Sequence, residues 1–120
     1  MNGMLLDGKQ MRRGEIRWCN LSAPDKRRPV LILTRTSAIP VLTGITVAPL
    51  TTTLRNADSQ VFLSPEEGGV LTPCAVNLDN LLTVQKKQLD RLITTLSPMR
   101  IYEIDQAICF ALGMDWALRR

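Results

Sequence analysis

The sequence contains no histidine. That absence removes every mechanism built on an imidazole acid, base or metal ligand, so Ser-His-Asp, Cys-His and HExxH chemistry are all excluded. Cysteine is scarce as well. Cys19, Cys74 and Cys109 lie far apart with no CxxC pair, and an odd count in a cytoplasmic chain reads as small, reduced, buried side chains. No apolar stretch approaches the roughly 20 residues that cross a bilayer. The opening MNGMLLDGKQM lacks the cationic start and long apolar run of a secretion signal, so the chain is expected to remain in the cytoplasm without membrane contact. Aromatics are few: Trp18, Phe62, Tyr102, Phe110 and Trp116. A surface that stacks many nucleic-acid bases is therefore not available.

What is present fits one domain, since 120 residues suffice for a real core but not for two. Residues 1–10 read as a loose tail and 11–120 as the domain. The net charge of +4 is unevenly placed. Residues 12–35 hold seven cations (Arg12, Arg13, Arg17, Lys26, Arg27, Arg28, Arg35) against Glu15 and Asp25, which leaves +5 there and −1 on the rest. Two readings stand: a surface facing a polyanion, or a solvated face that aids solubility.

Along the chain, GEIRWCNL (14–21) alternates Ile16 and Trp18 as a half-buried strand does. Ser22-Ala23-Pro24-Asp25 is turn chemistry. PVLILT (29–34) is a short apolar run entered at proline, which predicts a central strand. TGITVAPL (43–50) and SQVFLS (59–64) repeat the strand pattern, PEEGG (65–69) breaks it, PCAVNLDNLLTV (73–84) supplies a strand pair, and RLITTL (91–96) is the last strand. Ser97 and Pro98 then form a helix start, and Ile101, Ile104, Ile108, Ala111 and Leu112 form an apolar stripe that Gly113 stops. The expected architecture is mainly β with a C-terminal helix, a small, strongly bent sheet or barrel.

Three places carry candidate chemistry. Arg28 precedes Pro29, which restrains its backbone toward an extended form, and its planar fork suits a phosphate. The bland reading is a loop cation paired with Asp25. In APLTTTLRN (48–56) three threonines present hydroxyls where a strand yields to a loop; alternatively they are ordinary β-branched strand residues. In NLDNLL (77–82), Asn77 and Asp79 share one side of a strand. A carboxylate in that apolar run needs a partner, with Arg28 a candidate, and both an ion pair and a catalytic group fit.

Taken in order, RRGEIRWCNL, KRRPVLILT, VAPLTTT, VNLDNL and LSPMRIYEI resemble the MazF/PemK family of toxin endoribonucleases, over residues 11 to about 114. The resemblance implies an SH3-like barrel of the CcdB/PemK-like toxin fold, usually a homodimer with a groove across its interface. It implies cleavage of single-stranded RNA at short sequences, without metal or cofactor, and inhibition by a cognate antitoxin. By position, the family's arginine before the proline falls on Arg28, its threonine after the third strand on Thr51, and the aspartate of the PemK-like branch on Asp79. Lys26, Arg27, Thr52, Asn77 and Asn80 become candidate RNA-binding residues. The loop SAPDKRR is shorter than the glycine-rich one of many members. Two other functions remain compatible with the same fold: a toxin that inhibits DNA gyrase by protein contact, and a nucleic-acid binding module without catalysis.

Overall fold

In the computed structural model, residues 10–22, 26–70, 72–114 and 116 are described. The expected tail before residue 10, the centre of the first turn and most of the last residues lie outside them. Seven strands form one antiparallel, strongly bent sheet: β1 (Glu15–Asn20), β2 (Arg27–Ile32), β3 (Gly44–Thr51), β4 (Gln60–Leu63), β5 (Cys74–Asn77), β6 (Leu82–Gln85) and β7 (Leu89–Thr95). Their spatial order is β4-β5-β3-β2-β1-β7, with β6 paired to β3. A single-turn helix α1 (Pro65–Gly68) follows β4, and the longer α2 (Pro98–Ala111) follows β7. No described helix is long and apolar enough to cross a membrane.

β3 organises the bend. Its first half pairs with β6 (Ile45 with Val84), its middle with β2 (Leu31 with Ala48), and its end with β5 (Leu50 with Val76). Because strand side chains alternate between faces, β3 feeds two cores. Ala48 and Leu50 join Ile16, Leu31, Leu63, Val76 and Leu78 beneath α2, which contributes Ile104 and Ala107. Ile45 and Val47 join Cys19, Val30, Ile32 and Leu89 on the opposite face. That second core lies under a 3-10 turn at Thr36–Val41, which inserts Ile39. Each fully buried aliphatic side chain contributes roughly 1.5–3 kcal/mol, so both halves of β3 are strongly registered.

The helix start is as expected: Ser97 Oγ accepts from the Arg100 amide, Pro98 opens the first turn, and Gly113 follows at φ +75°. The buried stripe differs by one position. Ala107 is buried and Leu112 is 55% exposed, because α2 ends at Ala111 and the chain turns away before Leu112 can face the sheet. Residues 65–69 break the strand but do not form a plain loop. Ser64 and Glu67 make a reciprocal capping box that winds one helical turn, closed by Gly69 at φ +71°. Trp18, read as inward, is only half-buried, and the Arg27 guanidinium lies 4.9 Å from its ring centre.

Candidate active site

β2 begins at Arg27, earlier than the apolar run alone predicts, because its first residues pair with β1: Arg27 with Asn20 and Arg28 with Cys19. Alternation then separates two neighbouring cations. Arg28 shares a face with Val30 and Ile32, the side of the second core. Arg27 points to the other side, where it stacks on Trp18 and approaches Asp90 Oδ2 at 3.4 Å. Lys26, exposed and with φ +31°, closes the hairpin through its carbonyl, which accepts from the Leu21 amide at 2.6 Å.

The pairing of β2 with β3 ends at Val30 opposite Pro49. Two residues further along each strand stand Arg28 and Thr51, both half-buried and both on the second-core face. Thr51 pairs with Ala75 of β5, and Ala75 with Phe62 of β4. The sheet therefore carries Arg28, Thr51, Ala75 and Phe62 as one row. Phe62 is 51% exposed and stands two strands from Thr51, roughly 10 Å at about 4.8 Å per strand.

The Thr51 side chain is held in a defined role. Its Oγ1 accepts from the Thr53 amide at 3.0 Å, which occupies a lone pair and leaves the hydroxyl proton to donate outward. Gln60 fixes the loop that follows, accepting from the Arg55 amide at 2.9 Å and donating to the Thr53 carbonyl at 3.2 Å. Thr52 is exposed on that loop.

Asn77 follows Ala75 on the same face and ends β5, whereas Asp79 stands in the turn beyond it rather than in the strand that the sequence predicts. Asn77 Oδ1 accepts from the Asp79 amide at 3.1 Å, and the Asn80 amide approaches the Asn77 carbonyl at 3.4 Å. Asp79 and Asn80 are exposed. The Asp79 carboxylate takes Ser59 as a partner: Ser59 Oγ donates to Oδ2 at 2.5 Å. The arginine–threonine pair therefore stands on the strands, and the aspartate on a turn two residues past the end of β5. Nothing in the local sequence marked Ser59, since its contact spans twenty residues.

Of the three cysteines read as buried, Cys19 and Cys74 are buried and Cys109 is only partly so. Burial pushes the Cys19 and Cys74 thiols up, so both remain protonated and inert.

Comparison with known proteins decides the family. Residues 12–112 match the family model of PemK-like, MazF-like toxins of type II toxin–antitoxin systems. The chain belongs to that family. It is 41% identical over 100 residues to the probable endoribonuclease MazF5 of Mycobacterium tuberculosis, covering 83% of this chain and 87% of that protein. The solved structure of M. tuberculosis toxin MazF-mt6 is 38% identical with a TM-score of 0.77, covering 85% of this chain and 99% of that one. A mycobacterial endoribonuclease solved in complex with its cognate antitoxin is 28% identical with a TM-score of 0.76, covering 87% and 96%. These MazF toxin structures share the small bent β architecture with its terminal helix.

In this MazF-like chain Arg28 and Thr51 are half-buried, and Asp79 is exposed. A cleft of about 570 Å³ exists elsewhere, between β4 and α2, lined by residues including Phe62, Arg100, Glu103 and Phe110. Arg28, Thr51 and Asp79 are not among its lining residues.

Proposed function

We propose that this MazF-like chain is an endoribonuclease toxin that cuts single-stranded RNA in the cytoplasm, using the RNA's own 2′-hydroxyl as nucleophile and requiring neither metal nor cofactor. The observation that carries the reading is the placement of Arg28 and Thr51 on one face, with the Thr51 hydroxyl proton left to donate. Both groups can donate to an acceptor, which is what a phosphorane with growing negative charge needs. Preorganised donors of this kind contribute about 3–4 kcal/mol each to transition-state stabilisation.

In the reaction, the 2′-oxygen attacks phosphorus and the bond to the 5′-oxygen breaks, giving a 2′,3′-cyclic phosphate and a free 5′-hydroxyl. The 2′-proton passes to the Asp79 carboxylate. Arg28 donates hydrogen bonds to the phosphorane and stays protonated throughout, so the basic role goes to the aspartate and the leaving oxygen takes its proton from water. In-line displacement sets acid and base on opposite sides of phosphorus.

Lys26 and Arg27 act on the RNA backbone electrostatically, with Thr52, Asn77 and Asn80 as nearby polar contacts and Phe62 as a stacking surface. A homodimer places two such faces on one groove, and an acidic antitoxin segment suits the cationic rim at Lys26 and Arg28. The test is substrate chemistry. Ordinary single-stranded RNA is cut, while the same sequence carrying 2′-O-methyl groups throughout stays intact. Cleavage of the methylated strand at a comparable rate would remove the 2′-hydroxyl mechanism.

A further inference from the structure

The Asp79 carboxylate is exposed, yet one of its oxygens is already taken by a residue that is itself buried. Ser59 is 2% exposed, and its hydroxyl donates to Asp79 Oδ2 at 2.5 Å. The contact is doubly anchored, because the Ser59 carbonyl accepts from the Leu78 amide at 2.9 Å. Leu78 is fully buried in the core beneath α2, so the turn carrying Asp79 is bolted to the sheet on its inner side. On its outer side the Asp79 amide donates to Asn77 Oδ1 at 3.1 Å. The carboxylate is therefore fixed in rotation, with Oδ2 occupied and Oδ1 the oxygen left for a ligand.

We infer that Ser59 is a positioning residue for the RNA-cleavage reaction, holding Asp79 so that its second oxygen faces the 2′-hydroxyl of the bound ribose. The inference rests on the nuclease reading and on the basic role of Asp79. A carboxylate free to rotate would spend much of its time misaligned, and misplacement of about 1 Å costs up to about 10²-fold in rate. Removal of the Ser59 hydroxyl should lower kcat by roughly 10- to 100-fold. KM should change little, since Ser59 touches no substrate.

The experiment is a double-mutant cycle in the full-length chain on single-stranded RNA, with Ser59→Ala, Asp79→Asn and the pair, plus Ser59→Thr. Expected are a kcat loss in Ser59→Ala at unchanged KM, recovery in Ser59→Thr, and no further loss from Ser59→Ala once Asp79 is asparagine. A purely structural hydroxyl would instead lower kcat additively in both backgrounds, together with the melting temperature, and that result overturns the inference. So does a Ser59→Ala enzyme as fast as an active wild type, which leaves the nuclease reading intact. If Asp79→Asn itself turns over normally, the basic role of Asp79 falls and the inference with it. A folded wild type that cuts no RNA overturns both readings at once.

Discussion

Gly69 closes α1 with φ +71° and lies against β7. A Cβ at this position would meet Ile93 Cγ2 at 2.5 Å, with Thr94 Cβ at 3.5 Å and the Ile93 carbonyl at 3.6 Å. Gly69→Ala should therefore cost stability through two separable terms. The left-handed backbone contributes about 1 kcal/mol for a residue with a Cβ, and forcing a methyl onto a packed side chain adds about 1–3 kcal/mol. The total is roughly 2–4 kcal/mol, a large share of the margin of a small domain. Urea unfolding reads it as a lower midpoint at constant slope. Ile93→Leu, which moves the branch away from Cβ, separates the terms: in that background the alanine should cost only about 1 kcal/mol. A Gly69→Ala protein within about 0.5 kcal/mol of wild type, the ordinary range for a surface change, would refute the reasoning.

Other consequences are smaller or more local. Ser97→Ala removes the hydroxyl that accepts from the Arg100 amide at 3.3 Å and should cost about 1 kcal/mol in thermal unfolding; an unchanged melt would mean that the cap is satisfied otherwise. Arg100 clasps Glu67 at 2.7 and 3.0 Å and Glu103 at 2.6 Å, and its guanidinium holds the Glu67 carboxyl below the usual carboxylate range. A lowered folded value means stability that is fully present above the ordinary carboxylate pKa and lost as pH falls through the folded one. Glu67→Gln should accordingly flatten the acid limb of stability against pH, and an unchanged limb would count against the clasp. Lys26→Ala should reduce the salt slope of RNA binding by about 0.7, measured by fluorescence anisotropy between low and physiological salt. An unaltered slope would place Lys26 off the RNA path.

Much of this could be read from the chain because its signals are local. Ser97-Pro98 and Gly113 mark α2 within a residue or two, and apolar runs mark the strands. Where the sequence fell short, the deciding force was a tertiary contact. Arg27 and Arg28 were drawn into β2 by pairing with β1, which sends Arg27 to Trp18 and Arg28 to the opposite face. A run of three cations gives no hint of that division. The turn at 65–68 was legible in principle, as Ser64 and Glu67 stand at capping-box spacing, but Gly68-Gly69 masked it. Phe62 could not be assigned until the β4–β5–β3 register placed it in the row of Thr51. The Ser59–Asp79 contact joins two loops twenty residues apart, and no periodicity encodes such a bond.

The most direct test of the central claim is incubation of the purified, antitoxin-free protein with a long single-stranded RNA in excess EDTA, beside Arg28→Ala and Thr51→Ala, with fragment ends mapped by sequencing. The account predicts cuts at a recurrent short sequence, ends bearing 2′,3′-cyclic phosphate and free 5′-hydroxyl, and loss of cutting in both variants while their melting temperatures hold. Intact RNA from folded wild type, or undiminished cutting by either variant, would contradict it.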